Sequence, residues 1–150
     1  MRNLLFSTLF LFVLSTVVNA EDGLITLKSH HDVSATSERL QNALKSKGMT
    51  VFTVINHTEG AKGVGIELNP TQVVIFGNPK IGTPLMKCGQ TMAIDLPQKA
   101  LIWEDDDGQV WLSYNDPKYL AQRHGTKGCE EVIGKIENAL NNFAQAATKP

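Results

Sequence analysis

The sequence is short of the features that usually announce a chemistry. Among 150 residues there are two cysteines, two tryptophans and two tyrosines. Neither sign of charge dominates, since 14 Lys and Arg face 15 Asp and Glu. With no Lys/Arg cluster and a near-neutral balance, the composition argues against a nucleic-acid partner. There is no heptad run, low-complexity tract or repeat at a solenoid period. No Gly-x-Ser-x-Gly elbow occurs, and no His pair has the i, i+4 spacing of the familiar zinc helix. Gly63-Val64-Gly65 lacks the third glycine and the following helix of a dinucleotide fingerprint.

Long apolar runs are also missing, with one exception at the start. Met1-Arg2-Asn3 is a short positive opening, Leu4 to Val18 is mostly apolar, and Val18-Asn19-Ala20 is a small-x-Ala cleavage pattern. Residues 1–20 therefore read as a secretory leader cut between Ala20 and Glu21, with an uncleaved N-terminal anchor as the alternative. No Cys follows the apolar run, which argues against a lipid-modified N-terminus. Removing the leader leaves a single domain, residues 21–150, that is expected to be exported to the periplasm or medium without membrane attachment. Arg2 goes with the leader, so 13 bases face 15 acids in the mature chain.

Apolar periodicity places the elements. Leu24-Ile25-Thr26-Leu27 is a short strand. Asp32 or Ser34 caps a helix with Val33, Ser37, Leu40 and Leu44 on one face, ended by Gly48. Thr50 to Ile55 is a second strand, followed by a Gly-rich loop or short helical turn from His57 to Gly65. Gln72 to Phe76 is continuously apolar, as expected of a central strand covered on both sides. Thr83-Pro84 starts a short helix through Cys88, and Met92-Ala93-Ile94 is another short segment. Lys99–Asp105 and Gln109–Tyr114 flank Asp106-Asp107-Gly108, the signature of a hairpin. Lys118 to Arg123 suits a short helix. Glu130 to about Ala147 is the longest helix, with Val132, Ile133, Ile136, Ala139, Leu140 and Phe143 on one face. The order strand, helix, three to four strands, helix implies an α+β two-layer sandwich. Its two main helices should pack on one face of a mainly antiparallel sheet.

Phe76-Gly77-Asn78-Pro79-Lys80, Gly82-Thr83-Pro84-Leu85-Met86, Asp95-Leu96-Pro97, Glu104-Asp105 with Asp107-Gly108, and Trp111 to Pro117 form an ordered set. Thr50-Val51-Phe52, His57 and Gly60-Ala61 precede it. Together they resemble the domain of unknown function 302 family over roughly residues 24–145. The resemblance implies a small α+β domain, found alone or fused to other modules, and supplies no activity. Cys88 and Cys129 look like departures from the family pattern that suit an oxidising compartment.

Chemistry-bearing residues remain open to more than one reading. Two cysteines in an exported chain usually pair, so Cys88 and Cys129 are expected to form a bridge; free thiols or a soft-metal site are the alternatives. His57, Asn78, Lys80 and Tyr114 sit at expected strand ends, and His124 ends a short helix. They are the candidate binding residues for a small polar pocket, against a bland reading of turns and backbone hydrogen bonds. Met86, Cys88 and Met92 are weak candidates for copper, and His30-His31-Asp32 for an exposed metal. Glu104 to Asp107 place four carboxylates beside a turn but cannot converge, because adjacent strand residues face opposite ways. Trp103 and Trp111 read as core or interface anchors and raise a homodimer as one possibility. No cofactor is implied. The functional expectation is an exported accessory domain that binds an unknown small ligand or protein. The alternatives are a metal-handling protein using copper through Met/Cys or zinc through His, and a hydrolase with a His base, for which no oriented partner is legible.

Overall fold

The computed structural model describes residues 17–19 and 23–150. The cleavage junction at Ala20–Glu21 and all but the last stretch of the expected leader lie outside the described residues. In chain order the elements are β1 (Val17–Asn19), β2 (Leu24–Lys28), α1 (Val33–Ser46), β3 (Thr50–Asn56), α2 (His57–Gly63) and β4 (Thr71–Gly77). Next come α3 (Pro79–Cys88), a 3-10 turn (Gln90–Ile94), β5 (Gln98–Glu104), β6 (Val110–Asn115), α4 (Pro117–Arg123) and α5 (Glu130–Thr148). The strands form one antiparallel sheet in the order β1-β2-β6-β5-β4-β3. This is the expected α+β sandwich, with the β1 strand added at the edge next to β2.

Strand alternation sets the core. Ile25 and Leu27 of β2, Val74 and Phe76 of β4, Ala100 and Ile102 of β5, and Val110, Leu112 and Tyr114 of β6 are buried together. Leu40 and Leu44 of α1 and Ile133, Ile136, Leu140 and Ala144 of α5 close over them. Helix α1 begins where Asp32 accepts a hydrogen bond from the Ala35 N–H at 2.7 Å, satisfying one of the orphan donors of its first turn. It ends at Gly48, whose φ of +72° an L side chain rarely adopts. Arg39 donates to the carbonyls of Ala146, Ala147 and Lys149, placing a cation at the negative end of α5 and tying the two main helices together.

Among the described residues, neither of the two main helices packs on the opposite face of the sheet. Trp103 and Trp111 stack there with ring centroids 6.5 Å apart, and Trp103 Nε1 donates to Ser113 Oγ at 3.2 Å. Val73 and Ile75 lie on the same face and are half-buried. The apolar run of β4 is therefore covered fully on the helix side only, although β4 is interior in strand order. Its continuity reflects cross-strand apolar pairs, Val73 with Ile55 and with Leu101, rather than a second layer.

The β5–β6 hairpin turns as the Asp-Gly signature predicts, with Gly108 at φ +77°. The Asp105 carboxylate accepts from the N–H groups of Asp107 and Gln109 and from the Trp111 indole at 2.7 Å. Those bonds hold its pKa below the usual carboxylate value, the indole contributing most. The acidic cluster is a self-capped turn: Asp105 folds inward, and Asp106 accepts from Asn69 Nδ2.

Candidate functional site

Beyond the end of β4 the chain builds an apolar cavity. Asn78 caps α3 by accepting from the Lys80 N–H at 2.9 Å, while its Nδ2 donates to the Gly48 carbonyl at 3.0 Å. Pro79 follows at the first helical position, where a missing N–H costs nothing. Helix α3 therefore starts four residues before Thr83, and Pro84 lies inside it. The early start is a correction to the sequence reading, and the Asn cap is its cause. On the other side, β3 holds an extra residue between Val51 and Thr53 relative to β4. A bulge re-aims its side chain, and the Phe52 ring lies against Gly77, where a Cβ would come within 3.3 Å of it.

Between these walls and the two main helices lies a cavity of about 710 Å³. Phe76, Leu85 and Leu140 bring buried core to its lining, while Phe52, Met86, Leu96 and Phe143 contribute larger apolar walls. Ala43 on α1, with Ala139 and Ala146 on α5, presents only methyl groups at positions where larger side chains would fill the space. Lys47, exposed, is the single charged residue in the lining. The volume lies within the range of small-molecule sites, which are mostly apolar with a few placed polar groups.

The five residues expected to share a polar pocket are dispersed. His57 is exposed at the start of α2. Lys80 is exposed on α3. Tyr114 is in the core at 4% exposure, its pKa pushed up to about 12 by burial and then by the charges of Asp116 and Glu137. Asn78 alone among the five lines the cavity, and its amide is occupied as a helix cap. His124 stands elsewhere, at the end of α4. Asn78 lies at the end of β4 beside the cavity, whereas strand parity turns Tyr114 inward and the short helices turn His57 and Lys80 out.

His124 has a structured setting that sequence spacing did not show. Its Nε2 is 2.6 Å from Asp95 Oδ2 and its Nδ1 is 3.0 Å from Thr91 Oγ1. Arg123 also reaches Asp95. A carboxylate only accepts, so the Nε2 donates to Asp95, while Nδ1 faces the Thr91 hydroxyl. The set links α4 to the 3-10 turn. The cavity lining includes none of Thr91, Asp95 and His124, so the arrangement acts first as a clasp.

Cys88 and Cys129 are joined as a disulfide with Cα atoms 6.4 Å apart. The bridge ties the end of α3 to the start of α5, two of the cavity's walls. It also occupies the thiol of the suggested Met86–Cys88–Met92 copper set, and Met92 is buried in the core at 2% exposure. Among the described residues no group of three or more His, Cys, Asp or Glu side chains is placed to hold a metal ion.

Sequence reasoning missed Phe52, Leu96, Gln98 and Phe143 as cavity residues. Gln98 carried a usable signal: it shares strand parity with Ala100 and Ile102, so it faces inward. Phe52 carried none, because a bulge is not visible in an apolar strand.

A five-stranded antiparallel sheet, β2-β6-β5-β4-β3, with two long helices on one face and an open apolar cavity at the β3–β4 end, defines the class of domain; β1, at the sheet edge, falls within the expected leader. Its family follows from comparison. The model of the domain of unknown function DUF302 matches residues 25–143, and the chain belongs to that family. The crystal structure of an uncharacterised conserved DUF302 protein from Bacillus stearothermophilus superposes with a TM-score of 0.76. It is 20% identical and covers 83% of this chain and 98% of that one, a likeness of fold. Curated relatives from Brucella suis and Brucella abortus, both named fluoride-specific ion channel FluC 1, are 52% identical over 104 residues. The match covers 69% of this chain but only 41% and 38% of those proteins. Among the described residues no helix is long and apolar enough to cross a membrane.

Proposed function

We propose that this chain is an exported binding domain that holds a small apolar molecule between α1, α3 and α5. The observation that carries this reading is the cavity of about 710 Å³ with one exposed charge in its lining. The leader pattern and the Cys88–Cys129 bridge support export, because disulfides persist in oxidising compartments. The cavity is tested with N-phenyl-1-naphthylamine, a neutral dye that brightens in apolar surroundings. Saturable brightening by the full chain is expected, and no response overturns the reading. Export is tested by fractionating cells: recovery in the periplasm or medium is expected, and cytoplasmic recovery overturns it.

A second reading rests on the Brucella proteins. Their name as fluoride channels, and the majority of their length outside the match, favour a domain that serves alongside a membrane transport module. Growth of a deletion strain in sodium fluoride tests it. Greater sensitivity than the parent supports that reading, and equal growth overturns it.

A further inference from the structure

Gln98 is a buried polar residue in an apolar wall. It is 8% exposed and begins β5 opposite Phe76, so its side chain shares the helix-facing side with Ala100 and Ile102. It lines the cavity. Among the described residues its side-chain amide has no hydrogen-bond partner, yet no sealed side-chain nitrogen or oxygen there lacks one. The amide must therefore open onto the cavity space. Other buried polar side chains are engaged: Thr36 with Ser29, Ser113 with Thr26, and Thr148 with the Ala144 carbonyl. The remaining polar lining groups are already bonded or lie at the rim. Asn78 uses both ends of its amide, Ser46 donates to the Ala43 carbonyl, and Lys47, Thr83 and Asn142 are exposed.

We propose that Gln98 is the specificity-determining residue of this cavity. Its ligand is an apolar molecule bearing one neutral hydrogen-bonding oxygen, such as a ketone, ester or hydroxyl. The inference rests on the reading of the cavity as a ligand site and names the class of molecule it takes. An apolar molecule that fills the cavity cuts the amide off from water, which is costly if it is left unpartnered, and a ligand oxygen avoids that cost. The amide offers N–H donors and a carbonyl acceptor, so it serves a carbonyl or a hydroxyl equally. An ionised carboxylate does not suit the same position. The lining's only cation is exposed, and burying a charge without a partner is far more costly than burying a neutral group.

The test uses the full chain with its bridge intact. N-phenyl-1-naphthylamine is bound and then displaced by 2-acetylnaphthalene, 2-ethylnaphthalene or 2-naphthoate, from the wild type and from Gln98→Leu. The first two probes are alike in size and differ by a carbonyl. The ketone-to-hydrocarbon affinity ratio is expected to be about fivefold higher in the wild type than in the variant, the scale of one hydrogen bond read through a double-mutant cycle. The naphthoate should bind the wild type more weakly than the ketone. The infrared carbonyl band of 2-acetylnaphthalene bound to the wild type should lie at lower wavenumber than in hexane, which cannot hydrogen-bond, a readout that needs no variant. Dye binding with equal ratios in the two proteins, or a carbonyl band unshifted from hexane, overturns the role of Gln98 and leaves the cavity reading standing. Failure of the wild type to bind dye or probe overturns both.

Discussion

At Tyr114 the surroundings act against ionisation. Burial and the charges of Asp116 and Glu137 push the phenol up from 10.0 to about 12. Unfolding returns it to its ordinary value, so its contribution to stability is intact below about pH 10 and is lost as the pH rises toward 12. Alkaline titration of tyrosinate absorbance should show a late component that Tyr114→Phe removes. At Asp105 the sign is reversed. Its carboxylate is held down by the Trp111 indole and two backbone N–H groups. Its stabilising effect is therefore full above the ordinary carboxylate value and fades as acid protonates it. The gap in urea midpoint between wild type and Asp105→Asn, followed by tryptophan fluorescence, should be open at neutral pH and close in acid. Residue identity made both positions noticeable in the sequence, but not their roles. Tyr114 looked like a ligand contact until strand pairing placed it opposite Ile25 and Ala100. His124 looked isolated because Thr91 and Asp95 lie about thirty positions away in the chain.

Among the elements, the long helices and the hairpin were legible because they follow local rules. Asp32 caps α1, Gly48 ends it, and Asp107-Gly108 turns the hairpin. The walls of the cavity were not, because they depend on contacts between distant segments. Asn78 starts α3 while bonding to Gly48, thirty positions earlier. Phe52 is turned by a register shift against β4. The Cys88–Cys129 bridge was expected from cysteine count and compartment, but its place between two cavity walls was not. It closes a separation of 41 residues, and Cys88→Ser with Cys129→Ser should lower unfolding free energy by roughly 2–4 kcal/mol in denaturant titrations. Because α3 and α5 both line the cavity, the same variant should also bind the dye less tightly. Unchanged affinity would show that the walls hold their places without the bridge.

For the molecule as a whole, the fold is that of the DUF302 family, and the space beside it is set by small side chains. Fold class followed from element order and hydrophobic period. A cavity leaves no such trace, because Ala43, Ala139 and Ala146 read in sequence as ordinary helix positions. The apolar lining and single rim cation make binding of an uncharged, mostly hydrophobic molecule the central claim. The most direct measurement is titration of N-phenyl-1-naphthylamine into the wild type and Ala139→Phe, with circular dichroism confirming that both are folded. Saturable, one-to-one brightening by the wild type that is lost or at least tenfold weakened in Ala139→Phe is expected, since an added ring occupies the ligand's space. No binding by the wild type, or equal affinity in the two folded proteins, would contradict it.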